Sequence, residues 1–467
     1  MIKKFMADDF LLSNPVSEVL YNNFAKAMPI IDYHCHIPVK DICNDIKYNN
    51  ISEIWLYADH YKWRAMRALG VQERLITGDA TDREKFDAYI SCLPRLVGNP
   101  LYHWSNMELR RYFNCDLLPT RENSDLIYQK TLSVLQSGRV SAKSLITESG
   151  VEALCTTDDP ADTLDYHKKL ALDPLFKTKV YPAFRPDKGM NPTGADFAEY
   201  IQRLGNAAGV NIDSLSSLKA AYLKRLGEFY GCGMKTADHG FDDYISFIPA
   251  SDEECDIIFK KALSGESITD IEKAKYKSNL ILFFAKEYKK HGTVMQIHYG
   301  VLRNPNSLMF KRLGPDSGYD TIHGQNCIYD IAKMLDTMNT LDSLPKTVLY
   351  SVNPADNAAL DSLCAAFNGR GETVMQHGSA WWFNDTLYGI REQLQSLASL
   401  SALGAFIGMT TDSRSLLSYT RHDYFRRILC DMLGELVMKG EYPADYESLA
   451  QIVCDVSYNN VKRFFNF

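Results

Sequence analysis

Seven short apolar segments, each closed by polar or charged residues, set the strongest limit on what this chain can fold into. They are the run into "IDYHCHIP" (Ile31 to Pro38), "VEALCTTDDP" (151–160), "KVYPAFRPDK" (179–188), "TVMQIHYG" (293–300), "TVLYSVNP" (347–354), "TVMQHGSAWW" (373–382) and "GAFIGMTTDSR" (404–414). Helical patterns lie between most of them, and repeated strand-then-helix order points to a parallel sheet. With one weaker strand in the remainder the count reaches eight. The expected fold class is α/β, a (β/α)8 TIM-type barrel, in which polar residues at the carboxyl ends of the strands form the catalytic face.

Two stretches, 37–145 and 189–280, are rich in helical periodicity and too long for ordinary connections, so they read as large helical insertions in a single barrel unit spanning 1–467. Before the first strand, "SNPVSEVLYNNFAKA" reads as a helix with Asn14 as its cap and Pro15 in its first turn. Lys and Arg number 51 against 58 Asp and Glu, with basic residues scattered along the chain, which argues against nucleic acid or a membrane surface as partner. Eleven cysteines without a Cys-x-x-Cys pair suggest reduced, cytoplasmic usage. The start "MIKKFMADDF" turns acidic where a secretory signal would stay apolar, and "LILFFA" at 280–285 is too short to span a bilayer.

His34 and His36 are two residues apart, and on an extended strand such side chains share a face. Spacing alone leaves open a metal-holding pair or an ordinary hydrogen-bonded one. Asp412 is the best third ligand, because the first and last strands of a closed barrel are neighbours. Two imidazoles and a carboxylate leave coordination positions open, the pattern of a catalytic metal site. His298 ends a middle strand as a fourth ligand, a substrate contact or a packed polar residue. Arg185, beside Asp187 and Lys188, and Arg303 suit an anionic substrate, with surface ion pairs as the bland alternative. Arg414 is expected to share the strand face of Asp412 and to stabilise a developing oxyanion. Trp381, with His377, Trp382 and Phe383, offers the aromatic wall that sugar rings use. His60, Tyr61 and Arg64 sit on a helical pattern whose residues alone indicate only a packed face. The sequence has neither a glycine-rich phosphate loop nor a Gly-x-Ser-x-Gly elbow, which leaves little room for ATP, NAD or serine-hydrolase chemistry.

"MPIIDYHCH", "DHYKWRAMR", "HWSNMELRRYF", "FRPDK", "QIHYG", "GPDSGYDTI", "QHGSAWWFND" and "TDSRSLLSYTRHDYFRR" together closely resemble the uronate isomerases, a branch of the amidohydrolase superfamily of metal-binding barrels. The likeness runs from about residue 10 to the closing "NNVKRFFN"; Met28, where a leucine is expected, His323 and "LYG" at 387–389 depart from it. The resemblance implies aldose–ketose isomerisation of hexuronates, D-glucuronate to D-fructuronate and D-galacturonate to D-tagaturonate. It implies a divalent metal, zinc foremost, at His34, His36 and Asp412, and proton transfer by Tyr61 and Arg414. In that scheme Asp412, or a hydroxide on the metal, is the base, and Tyr61 or His34 relays a proton. Arg185 grips the distant carboxylate, with His60, His298, Arg303 and Trp381 as further substrate contacts. A homo-oligomer is expected on family grounds.

Two rivals follow from the same residues. A metal-dependent amidohydrolase acting on an anionic amide or ester would add a second strand-end histidine, where "LYSVNP" offers Ser351 and Asn353. A non-catalytic sugar-binding barrel would not need Tyr61, Asp412 and Arg414 together.

Overall fold

The computed structural model describes residues 3–241, 243–369 and 371–467. Nine strands run through them in chain order: β1 (Ile30–Asp32), β2 (Val151–Asp158), β3 (Lys179–Phe184), β4 (Thr236–Gly240), β5 (Val294–Tyr299), β6 (Val301–Leu302), β7 (Thr321–Ile322), β8 (Thr347–Ser351) and β9 (Met375–His377). Seven form one parallel sheet in the order β1-β2-β3-β4-β5-β8-β9, while β6 and β7 make a separate antiparallel hairpin. Strand β5 is buried at every position, as a sheet covered on both faces requires. Inside the sheet, the Gln296 side chain on β5 donates to the Tyr33 carbonyl after β1 (3.1 Å) and to Thr236 Oγ1 on β4 (2.9 Å). It also accepts from the Tyr350 hydroxyl on β8 (2.7 Å). One amide reaching from β1 to β8 requires a strongly curled sheet.

The eight strands expected from the sequence become seven in this sheet. Segment 404–414, read as the last strand, forms no ladder, because its backbone passes through positive φ at Gly408 (+73°) and Asp412 (+45°). Packing demands the first of these: a Cβ on Gly408 would lie 2.1 Å from the Val456 carbonyl oxygen. Single hydrogen bonds hold the segment instead. Tyr33 Oη donates to the Gly408 carbonyl (3.0 Å), the His34 amide to Thr410 Oγ1 (2.9 Å) and the His36 amide to the Ser413 carbonyl (3.0 Å). On the other side Gln376 Nε2 donates to the Ala405 carbonyl (3.0 Å). The weaker strand is β4, "TADHG", which lies inside 189–280. That stretch is therefore not one helical insertion but two helical runs flanking a central strand.

Between β1 and β2 the chain runs through seven α-helices among the described residues, from Val39–Cys43 to Ala142–Glu148. One apolar core joins them to β1, β2 and the helix Thr420–Met438, and a second packs the helices of 197–291 against β3, β4, β5 and β8. At the start, Asn14 caps Pro15–Leu20 in a reciprocal box with Ser17, as the sequence expects. Among the described residues no helix is long and apolar enough to cross a membrane, and all eleven cysteines are free thiols.

Candidate active site

The carboxyl ends of the strands open into a cavity of about 300 Å³. All ten site residues drawn from the sequence border it: His34 and His36 after β1, Arg185 after β3, His298 on β5, Arg303 in the hairpin, and Trp381 after β9. Asp412 and Arg414 come from the 404–414 segment, and His60 and Tyr61 from the helix His60–Ala68. Asp59 fixes that helix start: its Oδ1 accepts from the amides of Tyr61 (3.0 Å) and Lys62 (3.3 Å), while Lys62 Nζ closes a buried ion pair on Oδ2 (2.6 Å).

Two donor groups share His34. In the first, His34 Nε2 and His36 Nε2 stand 3.1 and 3.2 Å from Asp412 Oδ1. Burial pushes the Asp412 carboxyl up, but the bonds and charge of the two imidazoles outweigh it and hold the group well below the usual carboxylate range. Burial depresses His36 to about 4, so it is neutral at physiological pH. For His34, burial pulls down but Asp238 and Asp412 win, and its value rises.

The second group is Asp238 on β4, with Oδ1 2.6 Å from His298 Nδ1, Oδ2 2.9 Å from Arg185 Nη1, and Oδ2 4.0 Å from His34 Nδ1. Burial raises Asp238, but Arg185, His298 and His34 together drive it well below its ordinary value. Arg185 is further held by Asp187 (2.7 Å), which also accepts from the Gly240 amide (3.1 Å). A Cβ on Gly240 would meet Arg185 Nη2 at 2.6 Å and Asp187 Oδ2 at 2.9 Å, so any side chain there would push on the seated Arg185–Asp187 pair. Sequence reading missed Asp238 because β4 is five residues long, with no alternation to mark it; an acid in the middle of the short run "TADHG" was the signal available.

The strand-face argument for Arg414 fails, since Asp412 is not extended, yet the turn still delivers Arg414 to the cavity, 3.2 Å from Asp316. Arg303 pairs with Asp320 (2.9 Å) and lies over the Trp382 ring (5.1 Å). Of the expected aromatic wall, Trp381 and Trp382 line the cavity, with Trp381 edge-on to His298 (4.6 Å); His377 is instead bonded to Asp361 (2.7 Å) and Phe383 lies under Arg64 (4.3 Å), both off the cavity wall. Burial raises the Tyr61 hydroxyl well above its ordinary value, Asp412 adds to this, and Arg421 opposes it.

His34, His36 and Asp412 place one donor atom each within 4.8 Å of one another, and so do His34, Asp238 and His298. Imidazole nitrogen with carboxylate oxygen is a donor set that fits a divalent ion. In the second set Asp238 is already engaged by Arg185 and His298, which leaves the first as the better seat.

Sheet and cavity define an α/β enzyme whose polar centre sits at the carboxyl ends of parallel strands. The profile of UxaC, glucuronate isomerase, matches residues 2–465. A uronate isomerase of Caldicellulosiruptor bescii is 47% identical over 467 residues, covering 100% of both chains, and that of Bacillus licheniformis is 46% identical over 467 residues, covering 100% of this chain and 98% of its own. The crystal structure of the Thermotoga maritima uronate isomerase superposes with a TM-score of 0.93 at 34% identity, over 99% of this chain and 100% of the other. The chain belongs to the glucuronate isomerase family, an assignment that sets aside the hydrolase and the non-catalytic barrel.

Proposed function

We propose that the cavity interconverts D-glucuronate with D-fructuronate, and D-galacturonate with D-tagaturonate, by moving a proton between C2 and C1 through an enediolate. The observation that carries this is the convergence of Asp412, Arg414, Tyr61 and Arg185 on one sugar-sized cavity beside a three-donor group. Arg185, anchored by Asp187 and Asp238, binds the carboxylate, with Arg303 next to it and His60, His298 and Trp381 holding the ring or open chain. Asp412, kept ionised by its two histidines, takes the C2 proton and returns it to C1. Tyr61 or His34 carries the hydroxyl proton from O2 to O1. Arg414 exchanges its bond with Asp316 for the enediolate oxygen. His34, His36 and Asp412 are the residues that would hold a divalent ion, zinc being the one the family resemblance implies, and such an ion would supply Lewis-acid stabilisation of the developing oxyanion.

The same reading takes residues 1–467 as one (β/α)8 unit in which 404–414 stands as the eighth stave; the hydrogen bond from the Thr411 amide to Asp32 of β1 and that from Gln376 to the Ala405 carbonyl support this. The free thiols favour a reducing, cytoplasmic setting.

The test is a coupled assay for ketose from each uronate. Turnover of either sugar is expected, and no turnover of both would overturn the reading. For Arg414→Met, activity that stays within about tenfold, roughly 1.4 kcal/mol of barrier, would remove the oxyanion role.

A further inference from the structure

The motif "TDSRSLLSYTRHDYFRR" contains a buried cation that this scheme leaves unused. Arg421, 2% exposed at the start of the helix Thr420–Met438, lies behind the cavity wall. Its guanidinium carbon sits 4.0 Å from the Trp104 ring centre and 5.2 Å from that of Tyr61. Nη1 is 3.3 Å from Asp385 and donates at 3.3 Å to the carbonyl of Thr411, the residue before Asp412. Four separate parts of the chain therefore meet on one guanidinium: the Tyr61 helix, the Trp104 helix, the loop after β9 and the 404–414 segment.

A merely structural ion pair here would be better satisfied. Arg421 Nε and Asp385 Oδ1 are both buried without a hydrogen-bond partner, and a desolvated charge so imperfectly paired is costly. Burial, only partly offset by Arg421, lifts the Asp385 carboxyl to about 7; burial also pulls Arg421 down, but Asp385, Tyr61, Asp59 and Glu108 outweigh it and the guanidinium keeps its charge. The planar guanidinium does what a lysine cannot. It stacks on one ring, reaches a second, and keeps a positive charge beside the tyrosine that borders the cavity.

We propose that Arg421 is a positioning residue for Tyr61. It fixes the ring against Trp104 and ties it to the Asp412 segment, and its charge favours negative charge on the hydroxyl as that proton moves. The proposal rests on the reading of Tyr61 as a proton carrier, and a double-mutant cycle separates the two. Arg421→Met is expected to lower kcat about a hundredfold with KM within about threefold of the native value, because the loss falls on proton transfer and not on binding. In a Tyr61→Phe background the same substitution is expected to cost less than about threefold, since its target is gone. Arg421→Lys, which keeps charge without the planar stack, should fall between.

An equal loss in both backgrounds overturns the role of Arg421 and leaves that of Tyr61 intact. A Tyr61→Phe enzyme with native kcat overturns both. Should Arg421→Met not fold, Arg421→Lys and Arg421→Gln, each checked for a native-like melting transition, carry the same cycle: additivity in them contradicts the proposal.

Discussion

The two donor groups that share His34 are alike in chemistry and opposite in situation. His36 and Asp412 keep 26% and 11% of their side-chain surface exposed and face the cavity, whereas His298 and Asp238 keep 6% and none. Among the described residues, the carboxylate of the exposed group is answered by two imidazoles, which can give way to a ligand. In the dry group it is answered by Arg185, a fixed charge that fills the place a metal ion would take. The difference teaches that a three-donor cluster is not in itself a metal site: access and the absence of a resident cation decide. In the dry group the Asp238 carboxylate holds Arg185 (2.9 Å) and His298 (2.6 Å) from beneath the cavity.

The comparison can be broken from either side. Asp412→Asn, which keeps shape and removes charge in the exposed group, is expected to lower kcat about a thousandfold, read in the coupled uronate assay. Asp238→Asn in the dry group should lower kcat/KM by about ten- to a hundredfold. It should also lose about 3 kcal/mol of stability in denaturant titration, because it leaves Arg185 beside a neutral amide. A native denaturation midpoint for that variant would contradict the supporting role. Gly240→Ala, pressing on Arg185 and Asp187, should raise KM about tenfold and leave kcat within about threefold. Steady-state kinetics on both uronates would show the split.

The smallest effect is a pH dependence in metal-free protein. His36 falls from 6.5 to about 4 on folding, so the unfolded chain binds the proton more tightly, and the His36 contribution is lost as pH falls from 6.5 towards 4. His34, shifted upward, acts in the opposite sense. His36→Asn removes only the first, so its melting temperature relative to native should rise steadily across that window, by at most about 3 kcal/mol in stability. A difference flat with pH would show that His36 is not desolvated as the geometry requires.

Much of this was legible in the sequence, and the rest was not for identifiable reasons. The His-x-His pair, "FRPDK" and "QIHYG" stand where short apolar runs meet polar residues, the runs of β1 and β5 being continuously buried in the parallel sheet. "GAFIGMTTDSR" has a strand's composition and is not one, since Gly408 must pass the Val456 carbonyl and Asp412 turns into positive φ; both are facts of packing against distant parts of the chain. "TADHG" is a strand without a strand's pattern, because both its faces are buried and Asp238 is satisfied by distant side chains. The residues around Tyr61 indicate by themselves only a packed helical face, and the sequence reading singles out no role for Arg421; their meeting across 360 positions, from Tyr61 to Arg421, is visible only in the fold.

The most direct test of the central claim is bound-metal stoichiometry by elemental analysis on three purified proteins: native, His36→Ala and His298→Ala. Each variant touches one donor group and spares the shared His34. The account predicts about one ion per chain in the native protein and in His298→Ala, and its loss from His36→Ala. Retention in His36→Ala with loss in His298→Ala would place the ion in the dry group and contradict the account.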